Sequence, residues 1–216
     1  MASCCRAEPC EEMFGSDSTA RSDMEQYLTK GLGTLETDMV DALPRNVLAD
    51  GSRVLEIGGG IGAIQAELLK RGASTGEVIE LVEGYAPYAA RLAEQLRLTG
   101  RTTFRVHDVL ADPTDVEPAD VVVMNRVVCC SADGLSLARF AARLTRGALL
   151  MSFPRSNAIT KAFAATQRFV YRLLGRKYRA FVWPEDELVA AGEREGLAPV
   201  AADGDWLWRY VVLVRQ

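Results

Sequence analysis

Three acidic side chains stand at the ends of three short apolar runs, and their spacing is the first sign of chemistry in this chain. Glu56 lies inside V-L-E-I-G-G-G-I-G at 54–62, two residues before the first glycine of an E-x-G-x-G-x-G turn. Glu83 closes V-I-E-L-V-E-G, and Asp108 closes F-R-V-H-D. Glycine lets a backbone turn tightly and approach a ligand, because no Cβ intervenes. A glycine turn between a strand and a helix N-terminus is how a nucleotide-like cofactor is held. The spacing here departs from the G-x-G-x-x-G of dinucleotide sites. A carboxylate at position 56 would also repel a pyrophosphate, whereas it suits a ligand carrying an ammonium group. Glu83, followed by Gly84, is suited to both hydroxyls of a ribose through bidentate hydrogen bonds. Asp108, followed by Val109, is placed to accept an adenine amino group. The expected cradle is therefore Glu56, Gly58, Gly59, Gly60, Gly62, Glu83, Gly84, Asp108 and Val109.

These residues need strands to present them. Arg53–Ile57, Glu77–Val82, Thr103–His107, Asp120–Val128 and Ala148–Phe153 read as strands. They alternate with helical patterns at Ala63–Lys70, Pro87–Leu98, Leu135–Leu144 and Asn157–Leu174, and Pro184 opens another helix to about Glu195. Such alternation gives an α/β fold with a parallel sheet covered on both faces. Pro199–Ala202 and Trp206–Val214 are joined only by a short D-G-D turn, so they pair antiparallel. Residues 1–20 read as an arm, and 22–45 as one or two helices broken at K-G-L-G. The division is thus 1–48 for arm and cover helices and 49–216 for the ligand-binding domain, with no linker between them.

Composition narrows the class. The chain has 216 residues, 49% hydrophobic and 25% charged, with a formal net charge of −4. That balance fits one globular domain and weighs against nucleic acid, whose binders present a basic face. No apolar run reaches the ~20 residues that span a bilayer, and the N-terminus has no apolar signal-peptide core. The expectations are a cytoplasmic protein with no membrane partner, monomeric or homodimeric. The five cysteines, Cys4, Cys5, Cys10, Cys129 and Cys130, make a poor disulfide framework, being odd in number with two adjacent pairs.

From about residue 50 onward the chain resembles the class I S-adenosylmethionine-dependent methyltransferases. The resemblance rests on V-L-E-I-G-G-G-I-G, E-L-V-E-G, H-D-V and D-V-V-V-M-N-R-V. It implies a Rossmann-like, doubly wound seven-stranded sheet of order 3-2-1-4-5-7-6 with strand 7 antiparallel. It also implies S-adenosylmethionine across the first four strand ends, with Glu56 and the glycine turn at its methionine end. By the same likeness Asn125 faces the methyl-transfer centre, and Tyr27 in Y-L-T-K-G closes over the cofactor. The stretch N-R-V-V-C-C-S-A-D is similar to magnesium-protoporphyrin O-methyltransferases, which carry a His-Tyr-Pro triplet where this chain has Cys129, Cys130 and Ser131. That departure weighs against a porphyrin carboxylate acceptor.

The acceptor is a small molecule on this reading. Methyl transfer from a sulfonium is an in-line displacement in which the enzyme mainly aligns the partners, with a base only for a protonated nucleophile. His107, the single histidine, sits beside the expected adenine contact. Without an evident base, a thiol acceptor is favoured, since a thiol pKa near ~8.5 already gives some thiolate. A carboxylate or hydroxyl acceptor, or a cofactor-binding module without chemistry, are the alternatives. Arg126 and Arg155, just beyond the fourth and fifth strands, are candidates for an anionic substrate group. Five cysteines near one mouth would form a soft-ligand site for a thiophilic metal or a thiol, or act as small buried hydrophobes. The helix at 157–174 reads as a wall or lid, or as an amphipathic helix with its apolar face on the core. Trp206, Trp208 and Tyr210 alternate as core and edge packing of the last strand.

Overall fold

The computed structural model describes residues 7–216, so Cys4 and Cys5 lie outside the described residues. Its sheet runs β1 (Arg53–Ile57), β2 (Thr75–Glu80), β3 (Thr102–Val106), β4 (Ala119–Asn125), β5 (Thr145–Pro154), β6 (Leu197–Gly204) and β7 (Trp208–Arg215). The spatial order is β3-β2-β1-β4-β5-β7-β6. Pairing is parallel from β3 to β5, while β7 runs antiparallel to both β5 and β6. This is the order and polarity that the resemblance implies.

Burial on both faces explains why the central strands are nearly continuous apolar runs. Val121 and Val123 of β4 point to one face, and Val122 and Met124 to the other, following the two-residue period of a strand. The first face is covered by α2 (Asp17–Lys30), α3 (Thr34–Asp41), α4 (Ala63–Lys70) and α5 (Ala86–Gln95). The second is covered by α6 (Gly134–Leu144) and α8 (Glu185–Glu193), packed on Phe153, Leu149 and Leu213.

From residue 7 onward the expected arm is helical. It forms α1 (Ala7–Phe14), whose Cys10 and Phe14 pack against the first core. Ser16 then caps α2, its side chain accepting from the Thr19 N–H.

The last long helix, labelled α7 (Ala158–Leu173), departs from the core-packed reading. Its start is fixed by a capping box between Asn157 and Thr160. Only Thr160 and Ala164 of this helix are buried, and its apolar face is turned to solvent. The last strand also differs: β7 begins at Trp208, Tyr210 is a core residue, and Trp206 lies outside the strand with 71% of its surface exposed.

Candidate active site

The carboxyl ends of β1, β2 and β4 open onto one cavity of about 680 Å³, roofed by α1, α2 and α3. Its floor is the glycine turn after β1. Gly58, Gly60 and Gly62 hold φ of 66°, 54° and 76°, a region that side chains disfavour. A Cβ on Gly58 would come within 2.5 Å of Val127 Cγ2, and one on Gly59 within 2.6 Å of Glu56 Cγ. The turn is thus closed to any residue but glycine at these two points, and its backbone faces the cavity.

Glu56 is buried under that turn. Its Oε2 accepts the Gln65 N–H at 2.9 Å, taking one of the orphan donors in the first turn of α4. Burial pushes its carboxyl up to about 8, partly offset by the Gln65 N–H, and the nearby Glu80 adds to the rise.

The acid at the end of β2 is Glu80, not the expected Glu83. Gly76–Glu80 is the stretch in register with β3, so the strand closes at Glu80. Its carboxylate accepts from Gly60 N (2.9 Å), Leu81 N (2.7 Å) and Val82 N (3.2 Å), which turns the chain at once. Burial raises its pKa, while those three N–H groups oppose the rise. Glu83 lies one short turn further on, is exposed, and is not among the residues lining the cavity; nor is Gly84. Asp108 and Val109 do line it. Asp108 Oδ1 accepts from Leu110 N and Ala111 N, at 3.0 and 3.2 Å. His107 lines the same edge, with Nε2 2.7 Å from the Asp112 carbonyl.

Beyond β4 the wall changes character. Asn125 Nδ2 donates to Glu36 Oε1 (3.3 Å), and its Oδ1 accepts from Ser152 Oγ (2.5 Å). Arg126 has φ +59°, unusual for a side-chain-bearing residue and a sign of stored strain. Its guanidinium pairs with Glu36 at 2.9 Å and lies 4.7 Å over the Trp208 ring. Arg155 instead donates to the Asp205 carbonyl and does not line the cavity. Tyr27 contributes its ring to the cavity, but its hydroxyl is engaged on α4: it donates to Glu67 Oε2 (3.3 Å) and accepts from Lys70 Nζ (2.9 Å).

Cys10, Cys129 and Cys130 all line this end and carry no disulfide. The two adjacent sulfurs are 3.9 Å apart, and Cys130 Sγ lies 3.3 Å from the Tyr178 hydroxyl. The contact with Cys129, helped by Tyr178, pulls the Cys130 thiol below its usual range, while the same contact and burial push Cys129 well above it. Among the described residues no group of three or more His, Cys, Asp or Glu could hold a metal ion.

The lining acids are Asp23, Glu36, Glu56, Glu80 and Asp108, against the single guanidinium of Arg126. Such a cavity favours a cationic ligand and disfavours a pyrophosphate. Sequence reasoning missed Glu80, Glu36 and Tyr178. Glu36 had a signal, as an acid beside Leu35, Met39 and Val40 on the buried face of a short helix.

No protein-family model matches the sequence, and no curated protein matches it. Solved structures do match over nearly the whole chain. A magnesium protoporphyrin IX methyltransferase from Synechocystis PCC 6803 with bound SAH is 18% identical, with 94% of this chain and 84% of that one covered, at a TM-score of 0.61. An O-methyltransferase family protein from Burkholderia thailandensis is 22% identical, covering 97% and 64%, at 0.71. The [4+2]-cyclase SpnF is 11% identical, covering 97% of both chains, at 0.69. The chain thus has the Rossmann-like fold of the class I S-adenosylmethionine-dependent methyltransferases. A cyclase shares this fold, so the chemistry must be argued from the site.

Proposed function

We propose that this protein is an S-adenosylmethionine-dependent methyltransferase acting on a small molecule, with a thiol as acceptor. One observation carries the cofactor assignment: Glu56, Glu80 and Asp108 line one cavity around a glycine turn that a Cβ would fill. Bound there, S-adenosylmethionine supplies an electrophilic methyl group on a sulfonium. Glu56 and the Gly58–Gly62 backbone suit its amino-acid end, and Glu80, rather than Glu83, suits the ribose hydroxyls. Asp108 and Val109 suit the adenine, and the Tyr27 ring covers the mouth.

The acceptor end supports a thiol over a carboxylate. Arg126, the cation a carboxylate would seek, is already matched by Glu36 and stacked on Trp208. Asn125 and Arg126 fix the wall against which the acceptor is aligned. Cys130 is the group suited to take the proton: its thiolate would accept it from the incoming thiol, leaving an acceptor thiolate to attack the methyl carbon. A soluble, cytoplasmic setting with reduced cysteines is consistent with that role.

The test is turnover with S-adenosylmethionine against matched panels of thiols, carboxylic acids and phenols, read by mass. A methyl gain on thiols, with Cys130→Ser shifting the acid limb of the pH–rate profile, supports the reading. Methylation of carboxylic acids alone would replace the acceptor, and no turnover with any panel would leave the chain a cofactor-binding module.

A further inference from the structure

The surface of α7 is unlike the rest of the molecule. Ile159, Phe163, Phe169, Leu173 and Leu174 are each between 64% and 72% exposed, and Val170 is 41% exposed. At about 100° per residue, these six fall within an arc of about 140° on the helix. The buried Thr160 and Ala164 lie beyond one edge of that arc. Lys161, Arg168 and Arg172 lie within about 40° of one another on the far side of the helix, about 60–100° beyond the other edge, so the helix has three stripes: core, cationic and exposed apolar.

Charge is segregated as well. Residues 158–179 hold Lys161, Arg168, Arg172, Arg176, Lys177 and Arg179 and no acid, in a chain whose net charge is −4. Lys177 is paired with Glu8 on α1. The other five are exposed and form no ion pair among the described residues. The turn holding the exposed Trp206 is tied to the base of α7 by Arg155, which bonds to the Asp205 and Leu207 carbonyls. Trp is a residue that settles at membrane–water interfaces.

We infer that α7 lies flat on an anionic membrane surface, with Phe163, Phe169, Leu173 and their neighbours in the headgroup–acyl boundary and its flanking arginines on anionic lipid headgroups. An exposed arc of Phe, Leu and Ile on a helix whose polar side carries Lys and Arg is the form of an interfacial helix. A second copy of the chain is the poorer occupant, because an isologous contact would bring together two acid-free segments, each with five cations that form no ion pair among the described residues. No helix among the described residues is long and apolar enough to cross a membrane, so the association is peripheral. The expectation of no membrane partner rests on the lack of a spanning segment, which a helix lying on the surface does not need. Just past α7, Tyr178 reaches the cavity beside Cys130, so the docked face adjoins the acceptor end.

The experiment is co-sedimentation of the full chain with vesicles of phosphatidylcholine, with and without phosphatidylglycerol. The protein is expected on the anionic vesicles and released at about 1 M salt, where the screening length falls to about 3 Å. Arg168→Ala with Arg172→Ala is expected to weaken binding about 30-fold, from roughly fivefold per cation. Phe163→Glu with Leu173→Glu should abolish it, while circular dichroism, melting and S-adenosylmethionine binding stay as in wild type. No binding to either vesicle, or variants that bind like wild type, would overturn the inference. So would a dimer in sedimentation velocity that Phe163→Glu dissolves, since the face would then belong to a second copy. Vesicle binding needs no cofactor, so its failure is separable from failure of the proposed chemistry.

Discussion

Replacing Glu56 by Gln tests the electrostatics of the cradle. The free carboxyl titrates at about 8, so it is mostly protonated at neutral pH. A cation held ~4 Å away at an effective dielectric near 20 is worth about 4 kcal/mol, or roughly 3 pKa units. Glu56 would then titrate near 5 in the complex. The sign follows: binding must expel a proton, and affinity rises with pH up to the free-state pKa. Between pH 6 and 7.5 the ionised fraction climbs from about one in a hundred to about one in four, an affinity gain of about 25-fold. An amine in the usual α-amino range of about 7.7–8.0 has itself lost its charge in about one molecule in four to two in five at pH 7.5, which trims the net gain to about 15–18-fold. Calorimetry of S-adenosylmethionine binding in buffers of different ionisation enthalpy should count about 0.7–0.8 proton released at pH 7, about 0.9 from Glu56 less about 0.1–0.2 taken up by the ligand amine. Gln at position 56 keeps an oxygen for the Gln65 N–H and should abolish both the slope and the release. A flat affinity in wild type, or a slope that survives Glu56→Gln, would refute the reasoning.

Other substitutions probe separate parts of the account. Gly58→Ala, at φ +66° and against Val127, should cost about 1–3 kcal/mol, read as a lower melting temperature. Phe153→Ala empties a fully buried site between β5 and α6 and should cost about 3–5 kcal/mol in denaturant titration. Tyr27→Phe should leave cofactor affinity nearly unchanged, because the hydroxyl is turned to Glu67 and Lys70. Tyr27→Ala, which removes the ring, should weaken affinity in the same calorimetric assay.

The glycine turn and the alternation of strands and helices were legible because each is local, whereas the strand order came only with the family resemblance that those motifs carry. An apolar run, a glycine cluster and a helical repeat each announce themselves within ten residues. What failed depended on distant partners. V-I-E-L-V-E-G offers two acids three residues apart, and only pairing of Gly76–Glu80 with β3 decides that Glu80 ends the strand. The amphipathic pattern of α7 was equally clear, but periodicity does not say which stripe meets the core. Thr160 and Ala164 do so, leaving the larger apolar arc outside. Tyr178 follows no motif and reaches Cys130 across 48 positions of sequence.

Calorimetry with S-adenosylmethionine and NADH on wild type, Glu80→Ala and Glu83→Ala bears most directly on the cavity's identity. The expected result is saturable one-to-one binding of S-adenosylmethionine and none of NADH, at least tenfold weaker in Glu80→Ala and unchanged in Glu83→Ala. Binding of NADH instead, or S-adenosylmethionine binding that Glu83→Ala weakens and Glu80→Ala does not, would contradict it.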